Sequence, residues 1–592
     1  MIKKIFRQML LAQILSSMTV MICMLIDNIV IGRNLGIHAM TAYELASPVL
    51  LVFAAIGTTL SAGIQVQCGK TMQLSDRKAS NECFSTAIVS ALTIAGIGLF
   101  FVMVFIDPLC RLLMLRADNP SEQLFQMTKN YLQGFIIGAP AFILAQISVP
   151  FLQMSGNRKL LVIAVGSMTF ADIVFDILNV TLIDGGMFGM GMASSASYYV
   201  ALAIGLVAFC SKKFIFKFKI KCVRFKLTRK LLRYGLPTVI SQISLVFLTY
   251  IINQILWEGS GADADFGVAA YSVISTVGNI CFSVGSGIGA VAMMLASICY
   301  SEEDRTSMKQ LIKTMCWYAV LLNFILTVII SSAAWPIAKL FLAEQKNVNI
   351  DSAVDITTRG LRLYSLCLIP AALNAAFRHF YQGVNRRGMT NTISVLQNFV
   401  LTALFAFVFN VTIGMNGVWL AFVCGETATF IVMSVIVRVR SGKRLSTDAY
   451  IMMRDDFGVT PENCFEASAT DQEGVEDAIG KAKEFCLAHD LTEDETEHVA
   501  FCMKELAGNI ISYGFSADTK VHSIDFRLWI KDGKKFLRVR DNCVEFDPVR
   551  YRETHRFERS KSHAGIRQVM ERVHDARYVN SLGLNNLTLE LK

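Results

Sequence analysis

Proline is scarce in this chain, ten in 592 residues, and charged side chains make up only 17% of it against 53% hydrophobic. So little charge excludes one soluble domain, because the apolar surface exceeds what such a domain could bury, and the chain reads as a membrane protein. No two of the fifteen cysteines form a C-x-x-C pair, and neither they nor the eight histidines show metal-ligand spacing, so a zinc site is excluded. Scattered cysteines fit a reducing, cytosolic setting. A true phosphate-binding loop is also missing. "GIQVQCGKT" at 63 has five residues between its glycines instead of four and ends an apolar stretch instead of opening a soluble helix. "GNICFSVGSGIGAVAMM" at 278 follows no strand, so its glycines point to close packing of membrane helices.

The scarce charge is unevenly placed. Residues 1–444 hold 36 Lys/Arg and 20 Asp/Glu, a net of +16, whereas 445–592 hold 20 and 27, a net of −7. A basic membrane half is joined to an acidic soluble half, and neither suggests nucleic-acid binding. The opening "MIKKIFRQMLLAQILSSMTVMICML" has too long an apolar run for a secretory signal and no small-x-small cleavage site, so it reads as the first membrane helix. A bilayer core of about 30 Å needs about 20 apolar residues per helix. Stretches of that length begin near residues 9, 45, 84, 130, 159 and 190, and again near 235, 267, 312, 360, 391 and 415. With a cytoplasmic N-terminus, the loops on that side hold 27 Lys/Arg and the others 8. The positive-inside rule then puts both chain ends in the cytoplasm of a cell whose inner membrane holds the protein.

The two sets of six repeat each other. "TAYELASPV" at 41 matches "AAYSVISTV" at 269, and "GMFGMGM" at 186 matches "GMNGVWL" at 414. "QMSGNRK" at 153 matches "YQGVNRRG" at 381, with Asn157 and Arg158 falling 228 positions before Asn385 and Arg386, and Pro140 precedes Pro370 by 230. Six helices per copy give both copies the same topology, a pseudo-twofold axis along the membrane normal and a cavity between the halves. The expected organisation is lobe 1 over 1–210, a basic link over 211–233, lobe 2 over 234–440, a linker over 441–461 and a soluble domain over 462–592. The basic link either fixes topology or grips anionic lipid head groups.

Ionisable residues inside a span cost about 2.5–3.5 kcal/mol on insertion scales, so each one is a functional candidate. Asp27 lies in segment 1, Asp172 and Asp176 in segment 5, and Glu426 in segment 12. The i, i+4 spacing of Asp172 and Asp176 puts both on one helix face, and Asn179 can add an amide oxygen to it. Three carboxylates in low dielectric cannot all stay ionised cheaply. They would hold a proton or a sodium ion, unless each simply hydrogen-bonds to a neighbouring helix. Arg378, near the end of segment 10, can snorkel to the surface.

"DNIVIGRNLG" followed by "ASPV", the Asp172–Asp176 turn, the G-x-x-G of segment 6 and the two-copy layout resemble the multidrug and toxic compound extrusion family over about residues 1–440. The resemblance implies proton- or sodium-coupled antiport of a small organic substrate, an organic cation among the candidates, by rocking of two lobes. It gives the cation-site role to Asp27 and Asp176. Asp172 stands where that family commonly has Asn, and the proline that often follows in segment 5 is missing.

The last 130 residues read as an α/β domain. "EDETEHVAFCMKELAGNIISYGF" (493–515) is a helix with an apolar stripe of Val499, Met503, Leu506 and Ile510, while Glu505 and Asn509 share another face. "VHSIDFRLWI" and "KKFLRVRDN" alternate as strands around Asp532–Gly533; a helix "HAGIRQVMERVHD" and a hairpin "ARYVNSLGLNNLTLEL" follow. E-x-x-x-N on a helix, a strand ending in Asp, "EFDP" at 545 and a glycine before a helix resemble the nucleotide-binding α/β sandwich of anti-sigma serine kinases and histidine-kinase ATPases. That resemblance makes Asn509 a magnesium ligand, Glu505 the residue orienting the attacking group, Asp541 the acceptor for the adenine amino group, and Gly565 part of the ATP site. Cys543 and His563 stand where that family has glycine, which leaves Mg-ATP binding kept or lost. The expected fold is thus a polytopic all-α membrane protein, twelve helices in two six-helix repeats, followed by a soluble α/β sandwich. The leading functional reading is an antiporter with a regulatory nucleotide-binding module. The alternatives are a membrane-anchored serine kinase acting on an antagonist protein or sigma factor, and a flippase for a lipid-linked substrate.

Overall fold

The computed structural model describes residues 2–35, 37–73, 77–114, 122–210, 214–259, 264–342, 350–454, 457–516, 521–531, 533–554 and 564–592. Lobe 1 comprises α1 (Ile2–Asn34), α2 (Ile37–Gln73), α3 (Arg77–Val104), the short α4 (Ile106–Leu113), α5 (Glu122–Met154), α6 (Arg158–Leu178) and α7 (Gly186–Cys210). Lobe 2 comprises α8 (Phe225–Gly259), α9 (Ala264–Ser301), α10 (Arg305–Leu342), α11 (Ile350–Ser365), α12 (Leu368–Gly383), α13 (Arg387–Val395), α14 (Leu401–Ile413) and α15 (Met415–Ser441). Among the described residues eleven helices are long and apolar enough to cross a membrane; α11 and α12, bent by 47°, make the twelfth span together. The expected segment near 360 is therefore a broken one. Pro370 in the first turn of α12 has no N–H to donate, and the helix breaks just ahead of it. α13 and α14 join through a π-turn, Leu396–Val400, into one span, and a second π-turn, Asn179–Ile183, ends α6.

The internal repeat is visible in matching hydrogen bonds. After α5, the Gly156 N–H donates to Gln153 O and the Asn157 N–H to Leu152 O; after α12, the Asn385 N–H donates to Gln382 O and the Arg386 N–H to Tyr381 O. Both turns place a residue at positive φ, Gly156 at 75° and Asn385 at 61°. Pairing these two gives an offset of 385 − 156 = 229, one more than the register read from the sequence. Gly186 and Gly414, 228 apart, both take positive φ at the start of α7 and α15. Amide side chains repeat too: Gln153 donates to Gln13 on α1, and Gln382 donates to Tyr234 O at 3.1 Å on α8.

The lobes meet along a seam on the side where the basic loops lie. There α2 runs against α8, and α1 against α9. The approach is backbone to backbone: a Cβ at Gly63 would sit 2.2 Å from Leu231 O, and Ser297 Oγ donates to Gln65 O at 3.1 Å. Small residues permit this, because apolar helices in lipid gain contact only by packing closely.

Beyond α15 the chain does not run as a loose joint. The helix α16 (Thr447–Ile451) is pinned by Asp448, which takes Arg305 Nε at 2.9 Å, Lys309 at 2.9 Å and Lys443 at 3.2 Å. The hydrogen bond from Arg305, with the two lysines, holds the Asp448 carboxyl well below its usual range. The soluble domain is a five-stranded antiparallel sheet in the order β1 (Cys464–Ala469), β2 (Ile524–Lys531), β3 (Lys534–Asp541), β5 (Leu584–Leu591), β4 (Val573–Ser581). Helices α17 (Gln472–Ala488), α18 (Glu493–Asn509), α19 (Pro548–Thr554) and α20 (Ala564–Glu571) complete it. The capping box of Thr492 and Glu495 starts α18 as such a sequence should. Two expectations shift. α18 passes into a π-turn, Ile510–Gly514, and "VHD" at 573–575, expected to continue the last helix, opens β4 instead.

Alternation along the strands gives the sheet two unlike faces. Phe526, Leu528, Leu537, Val539, Leu587 and Leu589 bury against the helices. Arg527, Arg538 and Arg540 point the other way and meet the loop between α9 and α10. Arg527 reaches Asp304 at 2.8 Å, Arg538 reaches Glu302 at 3.0 Å and Asp304 at 3.2 Å, and Arg540 reaches Glu302 at 2.9 Å. Asp304 is wholly buried. Burial opposes its charge, but Arg527 and Arg538 outweigh it and hold the carboxyl down at about 2.

Lobe 1 owes its rigidity to the close crossing of α5 and α7, where a Cβ at Gly191 would lie 2.3 Å from Tyr131 O and one at Gly134 2.4 Å from Phe188 O. Gly191→Ala must therefore push two backbones apart, at a cost of about 1–3 kcal/mol, and should lower the midpoint of thermal unfolding in detergent. Gly166→Ala, on α6 with no atom within 4 Å of the added Cβ, should leave that midpoint unchanged or raise it slightly.

Candidate functional site

Asp27 comes from α1, and Asp172 and Asp176 come from one face of α6, which packs on α1 and α7. The helix crossing brings one oxygen of each carboxylate within 4.8 Å of the other two, and all three side chains are buried. Only Asp27 Oδ2 has hydrogen-bond donors, at long range: Tyr43 Oη at 3.4 Å and Ser194 Oγ at 3.5 Å. The other five carboxylate oxygens accept no hydrogen bond of ordinary geometry among the described residues, although the Cys23 thiol and the Ser197 hydroxyl lie beside Asp172. No basic side chain pairs with the cluster there. Buried carboxylates without donors are costly, so this arrangement is suited to something that enters it with positive charge. Oxygens alone, at these separations, fit a proton shared among carboxyls or a hard cation such as sodium.

Asn179 does not join them. Its Oδ1 accepts from the Gly185 N–H at 3.2 Å and its Nδ2 donates to Gly186 O at 3.1 Å, so its amide shapes the turn into α7.

A cavity of about 350 Å³ lies between the lobes, lined by Gln65, Phe135 and Tyr198 of lobe 1 and by Asn279, Arg378 and Glu426 of lobe 2. The three aspartates do not line it. The rings of Tyr43, Tyr131, Phe135 and Tyr198 form a continuous chain of contacts, with centroids 5.2, 6.4 and 6.2 Å apart, from the Asp27 neighbourhood to the cavity wall. Tyr43, Tyr131 and Ser194 went unremarked in the sequence, where hydroxyls in apolar stretches are common.

Glu426 sits apart, in lobe 2. Asn374 Nδ2 donates to Glu426 Oε2 at 2.8 Å and Gln397 Nε2 to Oε1 at 3.3 Å, so two neutral amides take the place of an acidic partner. Arg378 does not reach toward the membrane surface as expected. It stands on the cavity wall and donates to Ser241 Oγ at 2.5 Å, beside Asn398, which donates to the same oxygen at 2.6 Å.

In the soluble domain a cavity of about 280 Å³ opens between α18 and the sheet, lined by Asn509, Asp541, Cys543, Phe546, Ile566 and Tyr578 among others. Burial pushes the Asp541 carboxyl up, opposed by donors: Asn585 Nδ2 at 2.8 Å and the Cys543 N–H at 2.9 Å. Residue 543 does not take positive φ, so cysteine stands there without backbone strain. Glu505 is one turn before Asn509, whose Nδ2 donates to Glu505 O at 2.6 Å. Its carboxylate lies against Gly565, where a Cβ would fall 1.7 Å from Glu505 Oε2. His563 lies outside the described residues.

Two six-span lobes related by a repeat, enclosing a cavity with a buried ionisable cluster beside it, define a multi-pass membrane transporter. The MatE family profile matches residues 12–178 and 237–408, and the chain belongs to that family. It is 26% identical over 356 residues to the "Probable multidrug resistance protein YoeA" of Bacillus subtilis (strain 168), spanning 57% of this chain and 73% of that protein. A solved MATE structure in complex with MaL6 superposes with a TM-score of 0.68 at 18% identity, covering 76% of this chain and 98% of the other. A MOP superfamily transporter from Pyrococcus furiosus superposes with a TM-score of 0.67 at 18% identity, covering 74% of this chain and 96% of the other, and a mutant of the Vibrio cholerae MATE transporter VcmN with 0.66 at 16%, covering 76% and 98%. At these identities the superpositions show the shared fold.

The Glu426 arrangement predicts strong coupling with its amide donor. Because hydrogen bonds to a charged group contribute about 1.5–3 kcal/mol, Glu426→Ala and Asn374→Ala should each lower the unfolding midpoint, and the double variant should lose much less than their sum.

Proposed function

We propose that the protein exports small organic molecules across the cytoplasmic membrane by antiport with protons or sodium ions, its basic loops and soluble domain lying in the cytoplasm. The observation that carries this reading is the set of five buried carboxylate oxygens on Asp27, Asp172 and Asp176 that accept no hydrogen bond of ordinary geometry. A cation arriving there removes the cost of three like charges in low dielectric, so its binding free energy is large and strongly dependent on how the surrounding helices are packed. The aromatic chain from Tyr43 to Tyr198 joins the cluster to the central cavity, the natural seat for an organic cargo. The relative from Bacillus subtilis bears a multidrug-resistance name, which supports organic cargo here. Asp27→Asn should abolish export driven by an imposed proton or sodium gradient in proteoliposomes, while membrane insertion and the chromatographic profile stay as in the unaltered protein. Gradient-driven export at the unaltered rate by that variant would remove the cation-site assignment.

We further propose that the soluble domain binds Mg-ATP and regulates export. Its support is a cavity with apolar walls, a buried acceptor at Asp541 for an adenine amino group, and Asn509 in the same lining, which would hold magnesium. When bound, magnesium would neutralise phosphate charge there. Glu505, turned against Gly565, does not line this cavity, so the reading is one of binding rather than phosphate transfer. Titration of the full chain in detergent with Mg-ATP should show saturable heat. Asp541→Asn should weaken it roughly ten-fold or more, the loss expected for one hydrogen bond to a charged group. Titrations without heat in the unaltered protein would discard nucleotide binding.

A further inference from the structure

The soluble domain touches both lobes, and does so on the side where the seam closes. Its contact with lobe 2 is the arginine face of the sheet on Glu302 and Asp304, extended by Asn586 Nδ2 to Glu302 Oε1 at 3.1 Å and by Lys531, which pairs with Glu303. Its main contact with lobe 1 is the tip of the β4–β5 hairpin, beside one exposed hydrogen bond from Lys4 Nζ on α1 to Val521 O at 3.5 Å. The Leu582 N–H donates to Met154 O at 2.8 Å, and Leu582 and Leu584 are buried in the membrane-domain core. At the same place the backbone of Gly583 approaches Gly156, where a Cβ would lie 2.9 Å from Gly583 Cα.

The tip itself is unusual. The two-residue turn takes φ 59° at Leu582 and 74° at Gly583. Such a turn favours Asn-Gly or Asp-Gly, because a left-handed residue with a Cβ is strained. A leucine there serves the turn badly and the contact with lobe 1 well: 4% exposed, it fills a site on the other domain. The strained tip is therefore built for docking.

We propose that the soluble domain is a clasp across the two lobes, which keeps the seam of α1 and α2 with α8 and α9 closed. The clasp travels with lobe 2 and lets go of lobe 1 when the cavity opens to the cytoplasm. The asymmetry of the two contacts sets this order. Three buried arginines meet the buried Asp304 and the half-buried Glu302 on lobe 2, where separating the partners leaves a bare charge in low dielectric. On lobe 1 the hairpin tip contributes two apolar side chains, Leu582 and Leu584, and one backbone hydrogen bond, joined by an exposed hydrogen bond from Lys4 Nζ to Val521 O at 3.5 Å, with no buried ion pair among the described residues. The proposal rests on the reading of the protein as a two-lobe transporter, and it assigns the soluble domain a mechanical task whether or not a nucleotide binds there.

The test is hydrogen–deuterium exchange of the full chain in lipid nanodiscs, without cargo or nucleotide, reading the seam segments 57–72 and 225–240. Leu582→Asn suits the turn better than leucine, so the domain keeps its fold, shown by unchanged exchange over β2 and β3, while the apolar plug is lost. Exchange in both seam segments should then quicken roughly ten-fold, the shift in equilibrium that unburying one leucine produces. Glu302→Arg should quicken it as well, and adding Arg540→Glu should bring it back. Unchanged seam exchange in Leu582→Asn with an intact sheet would overturn the clasp. Should gradient-driven export be absent from the unaltered protein while Leu582→Asn still loosens the seam, the cation-antiport reading falls and the clasp stands.

Discussion

A charge buried in low dielectric must be answered, and this chain answers the same demand in three ways. Glu302 and Asp304 are met by arginines from another domain. Glu426 is met by the amides of Asn374 and Gln397. Asp27, Asp172 and Asp176 are met by almost nothing, with two hydroxyls at 3.4 and 3.5 Å serving a single oxygen. The first arrangement is complete, and so it fixes geometry. The second keeps a carboxylate in a fixed orientation within lobe 2. The third is incomplete by construction, and an incomplete site is one whose contents can change. The cluster sits at the far end of α1 from the seam, so whatever enters it acts on a helix that also forms the contact between lobes.

The two lobes share a plan but differ in their chemistry. The turns after α5 and α12 close with the same hydrogen bonds, and glutamines 153 and 382 make equivalent bonds to the first helix of their own lobe. Against that common frame, the acids of lobe 1 cluster away from the cavity, whereas lobe 2 turns Glu426 and Arg378 onto its wall. A repeat supplies the scaffold and the two-lobed motion. Departures from the repeat supply the sites.

Much of this could be read from residues alone where a local rule applied. Membrane spans followed from apolar length, and the repeat followed from glycine and asparagine turns whose positive φ the chain needs twice. Asp172 and Asp176 shared a face by spacing, although nothing local showed that α1 would bring Asp27 to them. Asn179 was read as a further ligand because an amide serves a turn or a cation equally well until its neighbours are known. Arg378 was read as reaching the surface because a long side chain near a helix end can do so; the cavity on its other flank is a tertiary fact. Asn374 and Gln397 carry no charge and left no signal in an apolar run. In the soluble domain the arginines of "RVR" alternate as a solvated strand face does, and only the acids 234 residues earlier in the chain, at Asp304 against Arg538, reveal that the face is covered. The helix ending at Glu571 reads too long because "RQVMERVHD" keeps helical spacing across a point where Val573 enters the sheet.

The covered arginine face also bears on how the soluble portion behaves apart from the rest. Cut free, a piece that is acidic in total would present Arg538 and Arg540 without their acids, beside an Arg527 that keeps only Glu466 at 3.5 Å, making it a lopsided dipole. Such a fragment would cling to heparin, nucleic acids and anionic vesicles alike. Partners fished out with it in isolation would report that bare patch, whereas its true counterpart is an acidic loop of its own chain.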